Sequence, residues 1–347
     1  MLIDLETLET SWRVPKDARA GDNIRSAVIV DQSIALVSEV GSDRLRISLL
    51  SWDDGSLLDL FEPKVKSTLV YDLATIERDG TTYLMLKQPN VHRMYDLSTH
   101  KEVATYARED EESMALSWYT DDAILSVSLG EDRRTYQVIS LDTGERVPAD
   151  IDECVVPGWE VGSVAADLLD DGSQFATVDV AGTVRLYDTT DWSLVWESTE
   201  QYPKAQHLAF SKDGQHLLLQ SLTGTCLLLS AQDGSVVAVS STVLPTITSS
   251  YYTDDDTLVA YYTTDGVRPT FGTALVSLDP ERFGPVDDVF CGQVFTYAKQ
   301  RVFTFDQSAD RVVVLNHYTL DELIELAQQT VQGHELTDAE RHLYRID

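Results

Sequence analysis

Between Val164 and Val239 the chain states one pattern twice. The first copy reads VAADLLDDGSQFATVDVAGTVRLYDTTDWSLVWES and the second HLAFSKDGQHLLLQSLTGTCLLLSAQDGSVVAV. Each copy has a short apolar strand, an Asp-Gly turn, a second strand, a Gly turn, a third strand, another turn and a fourth strand. Asp171-Gly172 recurs as Asp213-Gly214, and Gly182-Thr183 as Gly224-Thr225, so both markers move by 42 residues. A unit of about 40–45 residues with four strands cannot bury its apolar faces alone; it predicts β-propeller blades stacked around an axis.

The period extends beyond these two units. A turn after each third strand appears at Asp53, Asp96, Asp142, Asp188, Asp233 and Asp279, and again near Tyr318, with gaps of 43, 46, 46, 45, 46 and 39 residues. Asp suits this place because its carboxylate accepts a hydrogen bond from the backbone two residues on and closes the turn. Seven turns predict an all-β, seven-bladed propeller of four-stranded antiparallel blades. The blades span about 24–63, 66–110, 112–155, 162–201, 204–244, 247–290 and 291–318. Their strands, such as SIALVSEV, TTYLMLK, AILSVSL and TLVAYYTT, carry the β-branched and aromatic residues that half-buried pleated positions favour.

The seventh blade supplies only three strands. Residues 2–14, with the alternating LETSWRV, are expected as its outer strand, which closes the ring and removes an exposed edge. Residues 1–318 then form one propeller domain and 319–347 a short C-terminal α-helical tail. That tail opens on the capping box Thr319–Glu322, places Leu320, Leu323, Ile324 and Ala327 on one face, and stops at Gly333. A second capping box, Thr337–Glu340, opens a shorter helix, and the apolar face is expected on the rim of the last blade.

Composition excludes several partners. The 347 residues include 26 Lys+Arg against 58 Asp+Glu, a formal net charge of −32 that repels nucleic acid and anionic membranes. The acidic residues are spread along the chain rather than blocked, which fits solubility better than steering toward a basic partner. Cys154, Cys226 and Cys291 are too far apart for a metal site and too few for a disulfide frame. With no signal peptide at the N-terminus and no apolar run of membrane-spanning length, a cytoplasmic protein is expected.

No phosphate-cradling glycine loop, zinc-protease motif or nucleophile elbow occurs. His334 and His342 flank a helix start without a third ligand nearby, and the Asp clusters at 53–54, 170–171 and 254–256 lack the spaced ligands of a calcium loop. No cofactor or metal is expected. The candidate binding residues are interface types in the sixth blade's loops and strands, Arg268, Phe271, Tyr251 and Tyr252, followed by Trp118 and Trp159. The alternative role for the tyrosines is packing within strands.

AFSKDGQHLLLQSLTGTCLLLSAQDGSVV resembles the WD40 repeat, and VAGTVRLYDTTDWSLVWES resembles its second half, with Leu186-Tyr187-Asp188 at the Trp-Asp position. The Trp-Asp pair itself is expected once, at Trp52-Asp53, and the Gly-His pair of strong repeats is absent. The stretch from RVVVLNHYTLDEL to the C-terminus is similar to the end of many bacterial WD40 proteins. This resemblance implies a non-catalytic scaffold or sensor, a monomeric ring that binds a protein or peptide through its loops. The alternative is a propeller enzyme, of hydrolase or lyase class, or a small-ligand binder, using the central channel.

Overall fold

A computed structural model describes residues 2–3, 10–12, 14–15, 17–18, 24–88, 91–107, 117–129, 134–153, 155–156, 165–221, 223–240, 243, 246–252, 257–263, 271–281, 283–289, 294–298, 301–306 and 311–316. These residues form successive antiparallel sheets, each built from strands adjacent in sequence. The first holds Ile24–Val30, Ser33–Glu39, Leu45–Ser51 and Leu57–Phe61; the second runs from Asp72–Arg78 to Lys101–Ala107. The fourth runs from Ala166–Leu168 to Leu194–Gln201, the fifth from Ala205–Phe210 to Val236–Val239, and the sixth from Thr246–Tyr252 to Gly284–Val289. All five are four-stranded.

Two sheets depart from that plan. In the third, which begins at Ser117–Tyr119, the outer edge is split into Arg146–Val147 and Val155–Val156 around a 3-10 turn, Asp150–Glu153. Ile151 of that turn is fully buried, so the break in pairing serves to seat an apolar side chain. The last sheet has three described strands, Val294–Ala298, Arg301–Asp306 and Arg311–Asn316. Leu2–Ile3 pairs antiparallel with Thr10–Trp12, a hairpin where the sequence predicts one strand over 2–14. The expected tail, 319–347, lies outside the described residues.

The sheets are sandwiched in series, and period-two alternation is the cause. In a strand, successive side chains point to opposite faces, so a strand covered on both sides feeds two cores. Leu84 and Leu86 join Val37, Ile47 and Phe61 of the first sheet, whereas Met85 between them joins Ile124 and Ile139 of the third. Phe175 and Tyr187 pack with Leu125, Tyr136 and Val138, whereas Ala176, Val184 and Leu186 pack with Phe210, Leu217 and Leu229 of the fifth. Leu218 and Leu228 then face Leu258, Ala260 and Val276 of the sixth. Each buried Leu of this kind contributes about 1.5–3 kcal/mol.

Polar side chains stitch the same junctions. His100 bonds Asp59 at 2.5 Å and stacks on Phe61, joining the first and second sheets. The Tyr106 hydroxyl donates to the Leu141 carbonyl, and the Tyr136 hydroxyl meets Thr177 Oγ1 at 2.7 Å. Trp196 Nε1 donates to the Ala231 carbonyl, and Ile247 N–H to Gln220 Oε1.

Six described turns between third and fourth strands share one hydrogen bond. A side-chain oxygen at the strand end accepts the N–H two residues on: Ser51 from Asp53, Asp96 from Ser98, Ser140 from Asp142, Asp188 from Thr190, Ser230 from Gln232 and Ser277 from Asp279. The mechanism expected of Asp is therefore present, but Ser performs it in four of the six. In the first five, the residue four beyond the anchor is left-handed: Gly55, His100, Gly144, Trp192 and Gly234. This register also moves the Trp-Asp match. Tyr187, just before its anchor Asp188, corresponds to the fully buried Leu50, while Trp52 lies one step past Ser51 and is 40 % exposed.

Candidate binding surface

Strand order divides the links between strands into two sets at opposite ends of the sheets. Links from first to second and from third to fourth strands lie at one end, here the turn face. Links from second to third strands, and from one sheet to the next, lie at the other, here the crossover face. On the described turn face the acidic residues are Asp31, Asp53, Asp54, Asp79, Asp121, Asp122, Asp142, Glu145, Asp170, Asp171, Asp191, Asp213, Asp233, Asp279 and Glu281; Lys212 is the described lysine or arginine there. Described crossover links hold Asp43, Glu62 and Asp179 against Arg44, Lys64, Lys66 and Lys204.

Several turn-face carboxylates are committed to structure. The hydroxyl side chains of Ser98 and Thr99 hold Asp96 down at about 2. Hydrogen bonds from Ser56, Ser173, Ser193 and Ser235 lower Asp54, Asp171, Asp191 and Asp233 in the same way. Arg78 reaches Asp142 of the next sheet, with Asp122 at 3.9 Å, and that contact raises its own pKa. A cleft of about 310 Å³ opens on this face between the fourth and fifth sheets, lined by Leu169, Ser173, Gln174, Asp213, Gln215 and Gln232 among others. Its lining is polar, unlike the apolar walls of most small-molecule pockets.

The described turn links expose one large apolar side chain, Trp52, and the described crossover links expose four. Leu69 is 41 % exposed, Tyr71 49 %, Val180 57 % and Val243 65 %. Rigid packing lies directly beneath. Gly182 sits at φ +87°, and a Cβ there would come within 2.4 Å of the Tyr202 backbone, so only glycine lets the fourth sheet's link close on its neighbour.

The sequence candidates fall at different ends. Phe271 pairs with Thr263 at the crossover end of the sixth sheet, and the link containing Arg268 joins those two residues. Tyr251 and Tyr252 pair with Val259 and Leu258 near the turn end. Val259 pairs with Leu275, four residues from Phe271, about 13 Å along a strand. The strand pairing thus does not bring Phe271 and the two tyrosines together. Trp118 is half-buried in the core between the third and fourth sheets, its ring centroid 5.0 Å from Phe175 and 6.1 Å from Tyr136. Arg268 and Trp159 lie outside the described residues.

First strands carry the remaining chemistry. His207 Nε2 meets Ser250 Oγ at 2.9 Å across the fifth and sixth sheets, and desolvation pulls the imidazole down to about 4. Asp167 Oδ2 accepts the Phe210 N–H at 2.8 Å. The Cys226 thiol is buried and pushed up to about 12 by desolvation, the opposite of an activated nucleophile. Among the described residues, no three His, Cys, Asp or Glu side chains are grouped to hold a metal, and no helix is long and apolar enough to cross a membrane.

No protein-family model and no curated protein matches the sequence. Among solved structures, the chain is similar to one in the "Crystal Structure of Mitotic Checkpoint Complex", at a TM-score of 0.53 and 11 % identity, covering 92 % of this chain and 99 % of that one. At that identity the likeness concerns the fold alone. Together with the serial four-stranded sheets, it supports a β-propeller fold.

Proposed function

We propose that this chain is a non-catalytic protein-interaction scaffold or sensor: a monomeric, cytoplasmic, seven-bladed WD40-like ring whose protein or peptide partner docks on the crossover face. Residues 2–14 complete the last blade in this reading, and the helical tail caps it. The observation that carries the docking face is the contrast between the two ends of the sheets. Among the described residues, the links at one end are dense with carboxylates, several of them engaged in closing turns, whereas those at the other hold three acidic residues against four basic ones and expose Leu69, Tyr71, Val180 and Val243. Interfaces are depleted in charge at their centres and enriched in aromatic residues and Arg. Phe271 begins its strand at this same end, next to the link that contains Arg268. The solved chain that shares the fold comes from a protein complex, a coarse argument in the same direction.

Affinity capture from native lysate tests the reading, with wild type beside an Arg268→Glu, Phe271→Ala variant shown to be folded by circular dichroism. Recovery of a partner by wild type and its loss from the variant is the expected result. A partner held equally by both would remove these residues from the interface.

A further inference from the structure

The link between the first and second sheets, residues 62–71, is pinned at two points. Val65 and Val70 are buried in the core shared by those sheets, the Val65 N–H donates to the Asp43 carbonyl, and Gln88 Nε2 donates to the Ser67 carbonyl. Anchoring at 65 and 70 turns their neighbours outward: Lys64, Lys66, Leu69 and Tyr71 are all exposed. The link therefore presents two cations, a leucine and a tyrosine from a fixed backbone, and a preorganised surface loses little entropy on binding.

Arg44 sits directly across from Lys64 in an isolated antiparallel bridge. Like charges placed opposite one another are destabilising, and here the chain has more than two acidic residues for every basic one. Nearby cations are neutralised: Arg46 pairs with Glu62 at 2.6 Å and Arg25 with Glu39. Arg44, Lys64 and Lys66 are exposed and meet no carboxylate among the described residues. Asp43 and Asp72 are the acidic members of the patch, and Asp72 Oδ1 is engaged by the Leu73 N–H.

Resting on the crossover face as the docking face, we infer that this patch takes an extended, acidic segment of a partner protein with apolar side chains between its carboxylates. The three cations meet the carboxylates, while Leu69 and Tyr71 take up the apolar residues. The −32 field opposes every anion, and it opposes a phosphate backbone, charged at each nucleotide, more than a peptide whose carboxylates alternate with apolar residues that Leu69 and Tyr71 can take up.

The test is fluorescence anisotropy with a labelled peptide of repeated Glu-Leu-Asp-Phe, its Gln/Asn counterpart, its Lys counterpart and an oligothymidine. Wild type should bind the Glu/Asp peptide at least about tenfold more tightly than the other three. A folded Lys64→Glu, Lys66→Glu variant should lose about tenfold or more, Tyr71→Ala should weaken binding with its salt dependence unchanged, and Lys212→Glu on the turn face should change nothing. Binding should weaken as salt rises from about 0.05 to 0.3 M. Equal binding of the neutral peptide, preference for oligothymidine, or no binding to wild type overturns the inference. If the lysate partner is still captured through Arg268 and Phe271 while the acidic peptide fails, this inference falls and the docking face stands.

Discussion

The turn face and the crossover face are built from the same strands, yet they obey different rules. On the turn face one hydrogen bond is repeated sheet after sheet, from Ser51 to Ser277, and the residues around it are short, polar and acidic. Described crossover links vary in length and content, from the three residues between Gln201 and Ala205 to the ten between Phe61 and Asp72. Repetition marks what every sheet needs to close; variation marks where a chain can be individual without losing its core. The acidic residues look evenly spread along the sequence, but the even spacing is the period of the turns. Among the described link residues, that period places most of them at one end of the sheets.

The sharpest way to break the comparison is through two glycines of the fourth sheet. Gly182→Ala on the crossover side drives a Cβ into the Tyr202 backbone at an unfavourable φ and should cost about 3 kcal/mol or more. Gly172→Ala on the turn side has φ +73° and nothing within 4 Å of the added carbon, so only the left-handed cost of about 1 kcal/mol is expected. Urea midpoints of both variants check the order. Equal losses would mean that the crossover link is not seated on its neighbour.

Trp118→Ala comes next. It removes a half-buried ring packed edge-on against Phe175, and should cost about 2 kcal/mol. The same urea titration measures it; a loss within about 0.5 kcal/mol would show a surface ring with no packing role.

The smallest effect belongs to acid. Asp96 titrates near 2 in the folded chain and near 3.9 when unfolded. A depressed folded value stabilises above about pH 4, and that contribution is lost as pH falls toward about 2. Replacing Asp96 with Ser, the anchor of four other turns, should flatten the fall of the thermal midpoint across that window. High salt is needed throughout, so that relief of the −32 charge does not mask the slope. An unchanged slope would disconnect Asp96 from acid sensitivity.

Strand positions were legible because Asp-Gly pairs and alternating apolar runs mark them directly; the fourth and fifth sheets begin and end within a few residues of their expected spans. The turn anchors were less so. Asp draws attention as a turn residue, while Ser51, Ser140 and Ser230 look like any strand-end serine, and the misplaced register carried Trp52 into the wrong role. Pairings such as Arg44 with Lys64, or His207 with Ser250, join residues about 20 and 43 positions apart, and no local pattern announces them. The polarity of the two faces follows from the turns once alternate links are assigned to opposite ends.

The central claim is that the two faces divide folding from binding, and the most direct measurement is partner capture with a matched pair of folded variants. One reverses charge on the turn face, Asp54→Lys with Asp233→Lys. The other alters the crossover face, Lys66→Glu with Tyr71→Ala. Retention of the partner by the first and its loss from the second is the predicted result; loss from the first with retention by the second would contradict the account.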